Sequence, residues 1–523
     1  LFLLFASFQA VNSYKILVYN SKFGHSHSNY LGQIADILAE AGHNVTSLLP
    51  ILDPAVRDCT EKSHKIHVQP DPIVKETSVF LHTEKILLRT GIQVGPPTNI
   101  QAGPTYILVG GPTCKRVIGE PGLLEKLREE KFDVMIGENF DVCGMGISKF
   151  IAPKAMIGVS TTCLFGWQFP EFGIPQALSY QSTPFMSSLN VHSAYERFLN
   201  FYASCLIRLR FVFSRRSVNQ ALKEHFGDDY PTVAEQSANV AYLLTNSEPL
   251  LDYAAPTMSR VIDVPGIGAK QPKALDKYWT EILTRRENSI LLSFGSVVKS
   301  ILIPENMKKA ILTTIARFPD VTFIWKYEEP EDDFCKEHAS KVPNLVMTKW
   351  MPQVDILAHP RLAVFITHGG MGSTQETALR GVPGIFIPVF GDQPRNAGMM
   401  EYNGLGKVFS KFDLGDADKL TVTVREVLEN KKYRENARRI SKMLAKKPFS
   451  SKEQLVRHVE FAAEFGASAA LRPQSLDMSF IEYHNLDLLL IVSNFIAICF
   501  FLIVKTVIFV FRILTRGRKS KTE

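Results

Sequence analysis

The chain has 523 residues, 46% hydrophobic and 21% charged, a balance that excludes a disordered protein and a length that excludes a single core. Its net charge of +7 does not point to a polyanionic partner. Six of the 59 Lys/Arg and one of the 52 Asp/Glu lie from Lys505 onward, leaving 53 basic against 51 acidic residues, so nucleic-acid binding is excluded.

The chain opens LFLLFASFQAVNS, an apolar run with small residues at Ala10 and Ser13 that reads as the end of a secretory signal over 1–13. A strand, KILVYNS (Lys15 to Ser21), follows. Leu31, Ile34 and Leu38 then recur at helical spacing, Gly42 stops the helix, and NVTSLLP is a second strand. Asn44-Val45-Thr46 is the one N-x-S/T sequon. FDVMIG (Phe132 to Gly137) and AMIGVST (Ala155 to Thr161), joined by a Gly-rich helical segment, repeat the βαβ pattern and predict a parallel sheet in a first domain over 14–262. Within it, the stretch from Gly166 to about Gln236 is rich in Pro and aromatic residues. Loops and helices laid over the sheet are expected there, suited to a lipophilic acceptor pocket, a membrane contact or ordinary core.

DVPGIGAKQPKALDKYW, rich in Gly and Pro, predicts an interdomain linker over 263–284. A second α/β series occupies 285–465, with strands SILLSFGS, TFIWKY, NLVMTKW, LAVFITH and GIFIPV, and helical sequence from Asp418 to Phe465 closes it. After a segment over 466–487, residues 488–511 predict a transmembrane helix. Leu488 to Val504 is uncharged over 17 residues, Lys505 can snorkel, and TVIFVF completes a length fit for a bilayer core of about 30 Å. The basic tail over 512–523 places that end in the cytosol and the rest in the lumen. Its last residues, KSKTE, resemble a dilysine retrieval signal of the endoplasmic reticulum. Seven scattered cysteines without C-x-x-C argue against a metal or disulfide framework, while one or two bridges of unreadable connectivity stay open in an oxidising lumen.

The chemistry is densest at Phe365 to Pro394, FITHGGMGSTQETALRGVPGIFIPVFGDQP. An apolar strand runs into His368 and a glycine turn, and a helix begins near Ser373. Free N–H groups and the positive helix end are thereby offered at the carboxyl edge of the sheet, where phosphate is held in such folds. Glu376 is placed for ribose hydroxyls, and Asp392 and Gln393 follow the next parallel strand. Such a row suits a nucleotide sugar. G-x-G-x-x-G is absent, which weighs against a nicotinamide enzyme.

WMPQVDILAHP together with FITHGGMGSTQETALRGVPGIFIPVFGDQPRNA closely resembles the donor signature of the UDP-glycosyltransferase family, animal UDP-glucuronosyltransferases in particular. The resemblance extends over nearly the whole chain. It implies a GT-B fold, two facing Rossmann-like domains with the acceptor on the first and the UDP-sugar on the second. By the same resemblance Trp350 stacks on uracil, Gln353 binds uridine, Ser296, His368 and Gly370 meet the diphosphate, Glu376 the ribose, and Asp392 and Gln393 the sugar. Gly372 stands where many members have Asn, and Ser373 is expected to replace that contact. The family base is the His of a Ser-His pair, here Ser26-His27, and its carboxylate partner falls on Glu138, with Asp141 three residues on as the alternative. The implied reaction is inverting transfer of glucuronate, or of glucose, to a hydroxyl of a small lipophilic acceptor. The implied enzyme is a detoxification enzyme of the endoplasmic reticulum membrane, single-pass and lumenal, with a homo-oligomer left open. No cofactor or metal is expected, because Asp416-Ala417-Asp418 reads as a helix cap. A lumenal nucleotide-sugar-binding protein without turnover is the alternative of another class.

Overall fold

The computed structural model describes residues 12–71, 104–187, 189–269, 271–296 and 298–519. The apolar opening up to Val11 and the last four residues, with part of the dilysine-like signal, lie outside them.

Among the described residues, seven strands form the first sheet: β1 (Lys15–Tyr19), β2 (Asn44–Pro50), β3 (His64–Val68), β4 (Val134–Glu138), β5 (Ala155–Ser160), β6 (Tyr242–Thr245) and β7 (Val261–Asp263). Their order is β3-β2-β1-β4-β5-β6-β7, all parallel. Alternate residues of β1 face opposite sides. Ile16 and Val18 pack with Leu31, Ile34 and Leu38 of α1 (His25–Glu40), while Leu17 and Tyr19 pack with Met135 and Val218. Leu31 and Ile34 have no exposed surface, so truncating either to Ala costs about 2–5 kcal/mol. Helices α2 (Pro104–Ile118) and α3 (Ala194–Phe226) cover the Leu17 face. A disulfide, Cys114–Cys143, ties α2 to the segment after β4. By closing a loop of 29 residues it contributes about 3.6 kcal/mol.

After α4 (Lys277–Thr284), the second sheet holds β8 (Asn288–Ser293), β9 (Val321–Lys326), β10 (Leu345–Thr348), β11 (Leu362–Thr367), β12 (Gly384–Phe386) and β13 (Gly406–Val408). The order is β10-β9-β8-β11-β12-β13, again parallel throughout. Its helices include α5 (Glu305–Ala316), α6 (Met371–Arg380), α7 (Gln393–Tyr402), α8 (Ala417–Glu429) and α9 (Lys431–Ala445). Two parallel sheets, each with helices on its faces, meet the expected architecture.

Two boundaries differ from the sequence reading. Of the expected linker, Asp263 pairs with Thr245 at the end of β7, and Asp276 caps α4, which buries Trp279, Ile282 and Leu283 against the second sheet. Only 264–276 is left as connection, because Gly and Pro mark breaks in regular structure without saying how much chain lies between them. The second correction concerns α10 (Ser451–Phe465). It buries Leu455, Val459, Ala462 and Ala463 with Ile16, Val18 and Ile136, on the first sheet rather than the second. His458 packs edge-on against Tyr242, and Lys154 Nζ donates to the Glu464 carbonyl. An apolar stripe tells that a face is buried, not which sheet buries it.

Residues 472–523 form a separate unit. Among the described residues it holds the one helix, α11 (Leu486–Lys519), long and apolar enough over 486–515 to cross a membrane.

Candidate active site

In both sheets the strand order reverses beside the first strand, between β1 and β4 and between β8 and β11. Loops leaving such neighbouring carboxyl ends diverge and open a crevice. Of the residues singled out in the sequence, His27 and Glu138 stand at the first place and Ser296, His368, Gly370, Ser373 and Glu376 at the second, while Trp350 and Gln353 follow β10 and Asp392 and Gln393 follow β12.

At the first, β1 leads through Phe23 and Gly24 into α1, whose third residue is His27. Its Nδ1 lies 2.5 Å from Oε1 of Glu138, the last residue of β4. Glu138 is buried, whereas the His27 side chain keeps 18% of its surface exposed. Asp141 instead accepts from Tyr19 Oη at 3.2 Å and from the Cys143 N–H, so Glu138 is the carboxylate joined to His27. His25 is exposed at the helix start. A position near a helix N-terminus favours neutral imidazole, yet the net result here is opposite. Burial pulls the His27 pKa down, but the Glu138 charge and hydrogen bond, with a smaller push from Asp392, outweigh it and raise it above the ordinary value.

Sequence reasoning missed one neighbour. Thr161, just past β5, donates to Glu138 Oε1 at 2.5 Å and has its Oγ1 2.7 Å from His27 Nδ1. A polar residue following a wholly buried strand at the carboxyl edge was the available signal. Around His27 the wall is aromatic. Phe23 lies at 4.4 Å and Phe140 at 5.3 Å between ring centroids, and Phe140 packs against Phe165, Trp167 and Phe211. Met371, from the second domain, joins the same cluster.

At the second place, His368 follows β11, its ring held between Gly295 and Gly370. A Cβ on either would come within 2.6 Å of the imidazole, and Gly295 has φ +85°. Burial, then the nearby Lys326 charge, brings the His368 pKa down to about 4, so it stays neutral. Lys326 ends β9 with Nζ on the Gly295 carbonyl, and is a second residue the sequence reading missed; a lysine closing the apolar run TFIWK was its trace. Helix α6 begins at Met371 with Gly370 as its N-cap. Gln353 Nε2 donates to Glu376 Oε2 at 2.7 Å and lies 3.4 Å from Ser373 Oγ, so three expected donor residues meet. Burial raises the Glu376 pKa, partly offset by Gln353 and Arg380. Nothing within 4 Å would obstruct a Cβ at Gly372. Trp350 is 70% exposed and Ser296 stands on the exposed loop after β8; no hydrogen bond or ring contact joins either to the others among the described residues.

Asp392 and Gln393 open α7. Asp392 accepts from Asn396 Nδ2 at 2.8 Å, and burial raises its pKa while Asn396, His27 and Arg395 act against that. Gln393 is buried, and its Oε1 accepts from the N–H groups of Val389 and Phe390 at 2.8 and 3.1 Å. It therefore shapes the loop before α7. Arg395 pairs with Asp252 of the first domain at 2.5 Å. Asp416 caps α8 by accepting from the Asp418 and Lys419 N–H groups.

Two parallel-sheet domains, with a His–Glu pair at one switch point and a glycine turn opening a helix at the other, define a glycosyltransferase of the GT-B class. The fold is shared with a solved glycosyltransferase of kitacinnamycin (TM-score 0.54, 17% identity, 86% of this chain and 99% of that one) and with SnogD from Streptomyces nogalater (0.54, 16%, 86% and 100%). The family described as UDP-glucuronosyl and UDP-glucosyl transferase matches residues 14–521, and the chain belongs to it. Similar proteins include ugt-48 of Caenorhabditis elegans, described as a UDP-glucuronosyltransferase (29% identical, 98% of each chain), and UDP-glucuronosyltransferase 3A1 of Bos taurus (27%, 90% of this chain and 88% of that one). As a member, the chain transfers a sugar from a UDP-sugar to an acceptor.

Proposed function

We propose that the protein transfers glucuronate from UDP-glucuronate to a hydroxyl of a small lipophilic acceptor, with inversion. The likeness to UDP-glucuronosyltransferases supports glucuronate as the sugar. The observation that carries the transfer chemistry is the 2.5 Å contact of His27 Nδ1 with Glu138. It commits the Nδ1 proton to the carboxylate and leaves Nε2 as the base. Nε2 takes the acceptor's hydroxyl proton, the oxygen bonds to the anomeric carbon, and the bond from that carbon to the diphosphate breaks on the opposite face, releasing UDP. Glu138 stabilises the imidazolium so formed. Asp392 and Gln393 orient the sugar, while Trp350, Gln353 and Glu376 hold uridine. The diphosphate rests on the N-terminus of α6, Gly370, Ser296, neutral His368 and Lys326, with no metal required. The aromatic wall about His27 accepts a lipophilic acceptor.

The reading also places the enzyme in the endoplasmic reticulum membrane, catalytic domains lumenal and the basic tail cytosolic, with detoxification as its role. Incubating membranes that carry the protein with one phenol and either UDP-glucuronate or UDP-glucose, and identifying the conjugate by mass, tests the donor. A glucuronide supports the proposal, a glucoside alone transfers it to the sister activity, and no conjugate with any phenol tried favours a binding protein.

A further inference from the structure

The pair His27–Glu138 has a third member in the geometry, and it comes from a different strand. Among the described residues, both side-chain donors that reach Glu138 converge on Oε1, from His27 Nδ1 and from the Thr161 hydroxyl, each at 2.5 Å, while Oε2 is buried with no hydrogen-bond partner. Thr161 Oγ1 is also 2.7 Å from Nδ1. One hydroxyl proton cannot serve both neighbours. With Nδ1 protonated, the hydroxyl donates to Oε1 and turns a lone pair toward Nδ1–H, so all three contacts are attractive. With the proton on Nε2, a bare Nδ1 faces the carboxylate and the hydroxyl must abandon one of them. The triangle therefore favours the tautomer that exposes a basic Nε2. Thr161 is itself held from behind, since Asn246 Nδ2 donates to its carbonyl at 2.8 Å.

We propose that Thr161 is a positioning residue of the transfer reaction, whose hydroxyl fixes the Glu138 carboxylate and the His27 tautomer. The inference rests on the base assignment above. The charged groups that bear on His27 are Glu138 from β4 and Asp392 from the start of α7, and Glu138 in turn acts on Asp141; β5 and its following turn contribute the uncharged Thr161, and α1 contributes His25 at its exposed start. Removing the hydroxyl takes one donor from Oε1. The carboxylate becomes more basic, holds the imidazolium more firmly, and keeps His27 protonated to higher pH.

The test uses the full chain in membranes and follows kcat/KM against pH for wild type, Thr161→Val and Thr161→Ser. Thr161→Val is expected to lower kcat about tenfold at neutral pH, leave the donor KM within about twofold, and move the acid limb upward by roughly half to one pH unit, the worth of one hydrogen bond. Thr161→Ser should restore both. In a Glu138→Gln background, Thr161→Val should add little, since its effect passes through Glu138. An acid limb superimposed on wild type, a donor KM that rises with no shift, or full additivity with Glu138→Gln would each overturn the proposal. If Thr161→Val fails to melt cooperatively, Thr161→Ala takes its place. An inactive wild type refutes the catalytic reading itself, whereas an active wild type with an unmoved profile refutes only the role of Thr161.

Discussion

Gln353 Nε2 donates a 2.7 Å hydrogen bond to Glu376 Oε2, tying the short helix Gln353–Leu357 to the second turn of α6. A ribose hydroxyl donating to Glu376 requires the ionised carboxylate, and burial has raised its pKa. UDP affinity should therefore weaken as pH falls through a range above that of an ordinary carboxylate. Glu376→Gln should bind UDP about 10–100-fold more weakly and with a flat pH dependence there. His368, at about 4, adds no proton-linked change above pH 5. Calorimetric titration of UDP between pH 5 and 8 measures this, and a wild-type Kd unchanged across that range would remove Glu376 from the ribose site.

His27→Ala should lower kcat by about 10²–10⁴-fold with UDP-sugar affinity little changed, Glu138→Gln by somewhat less, and His25→Ala by much less. The base works only when neutral and its pKa is raised, so kcat/KM should fall on acidification from a point above the ordinary histidine value. Steady-state kinetics of the three variants decide it; a His25→Ala loss exceeding that of His27→Ala reverses the assignment.

Asp392 and Gln393 should separate on mutation. Asp392→Ala is expected to weaken transfer while UDP alone still binds. Gln393→Ala should do the same and also lower the melting temperature, because the Val389 and Phe390 N–H groups lose their acceptor at a cost of about 1–3 kcal/mol. Thermal melts of both variants beside wild type provide the comparison, and equal melting temperatures would contradict the loop-shaping role.

Asn44 is exposed at the start of β2, on the sheet edge opposite the His27 crevice. A lumenal first domain should therefore carry one N-glycan there without obstructing the site. Endoglycosidase treatment should shift the mass by one glycan, and Asn44→Gln should abolish the shift; an unglycosylated chain expressed in a glycosylating host would argue against lumenal exposure.

The central strands and the donor turn were readable because they are short apolar runs that end at a glycine or a polar residue, as in LAVFITHGG, whereas β3 (HKIHV), with its alternate polar residues, and the short β6, β7 and β13 carry too weak a pattern and were not read. The family resemblance put the carboxylate at Glu138, which directly continues its strand, with Asp141 as the alternative, and the geometry joins Glu138 to His27. What escaped were relationships set by tertiary approach. Thr161 reaches the pair only because β5 lies beside β4, and Lys326 reaches Gly295 only because β9 lies beside β8. The raised pKa of His27 escaped as well, because a local helix-end argument cannot weigh a carboxylate arriving from 111 residues away.

The crossing of α10 back to the first sheet makes chain order a poor guide for cutting the molecule. A fragment ending after β7 strips Ile16, Val18 and Ile136 of the helix that shields them, and a fragment beginning at α4 carries an apolar helix with no surface of its own to cover. Exchanging acceptor halves with a relative by a single splice near residue 270 would pair one parent's sheet with the other parent's α10. Mismatched methyl groups there would reduce yield whatever the chemistry of the cleft. Chimeras that move 451–471 together with the first half keep that seam within one parent.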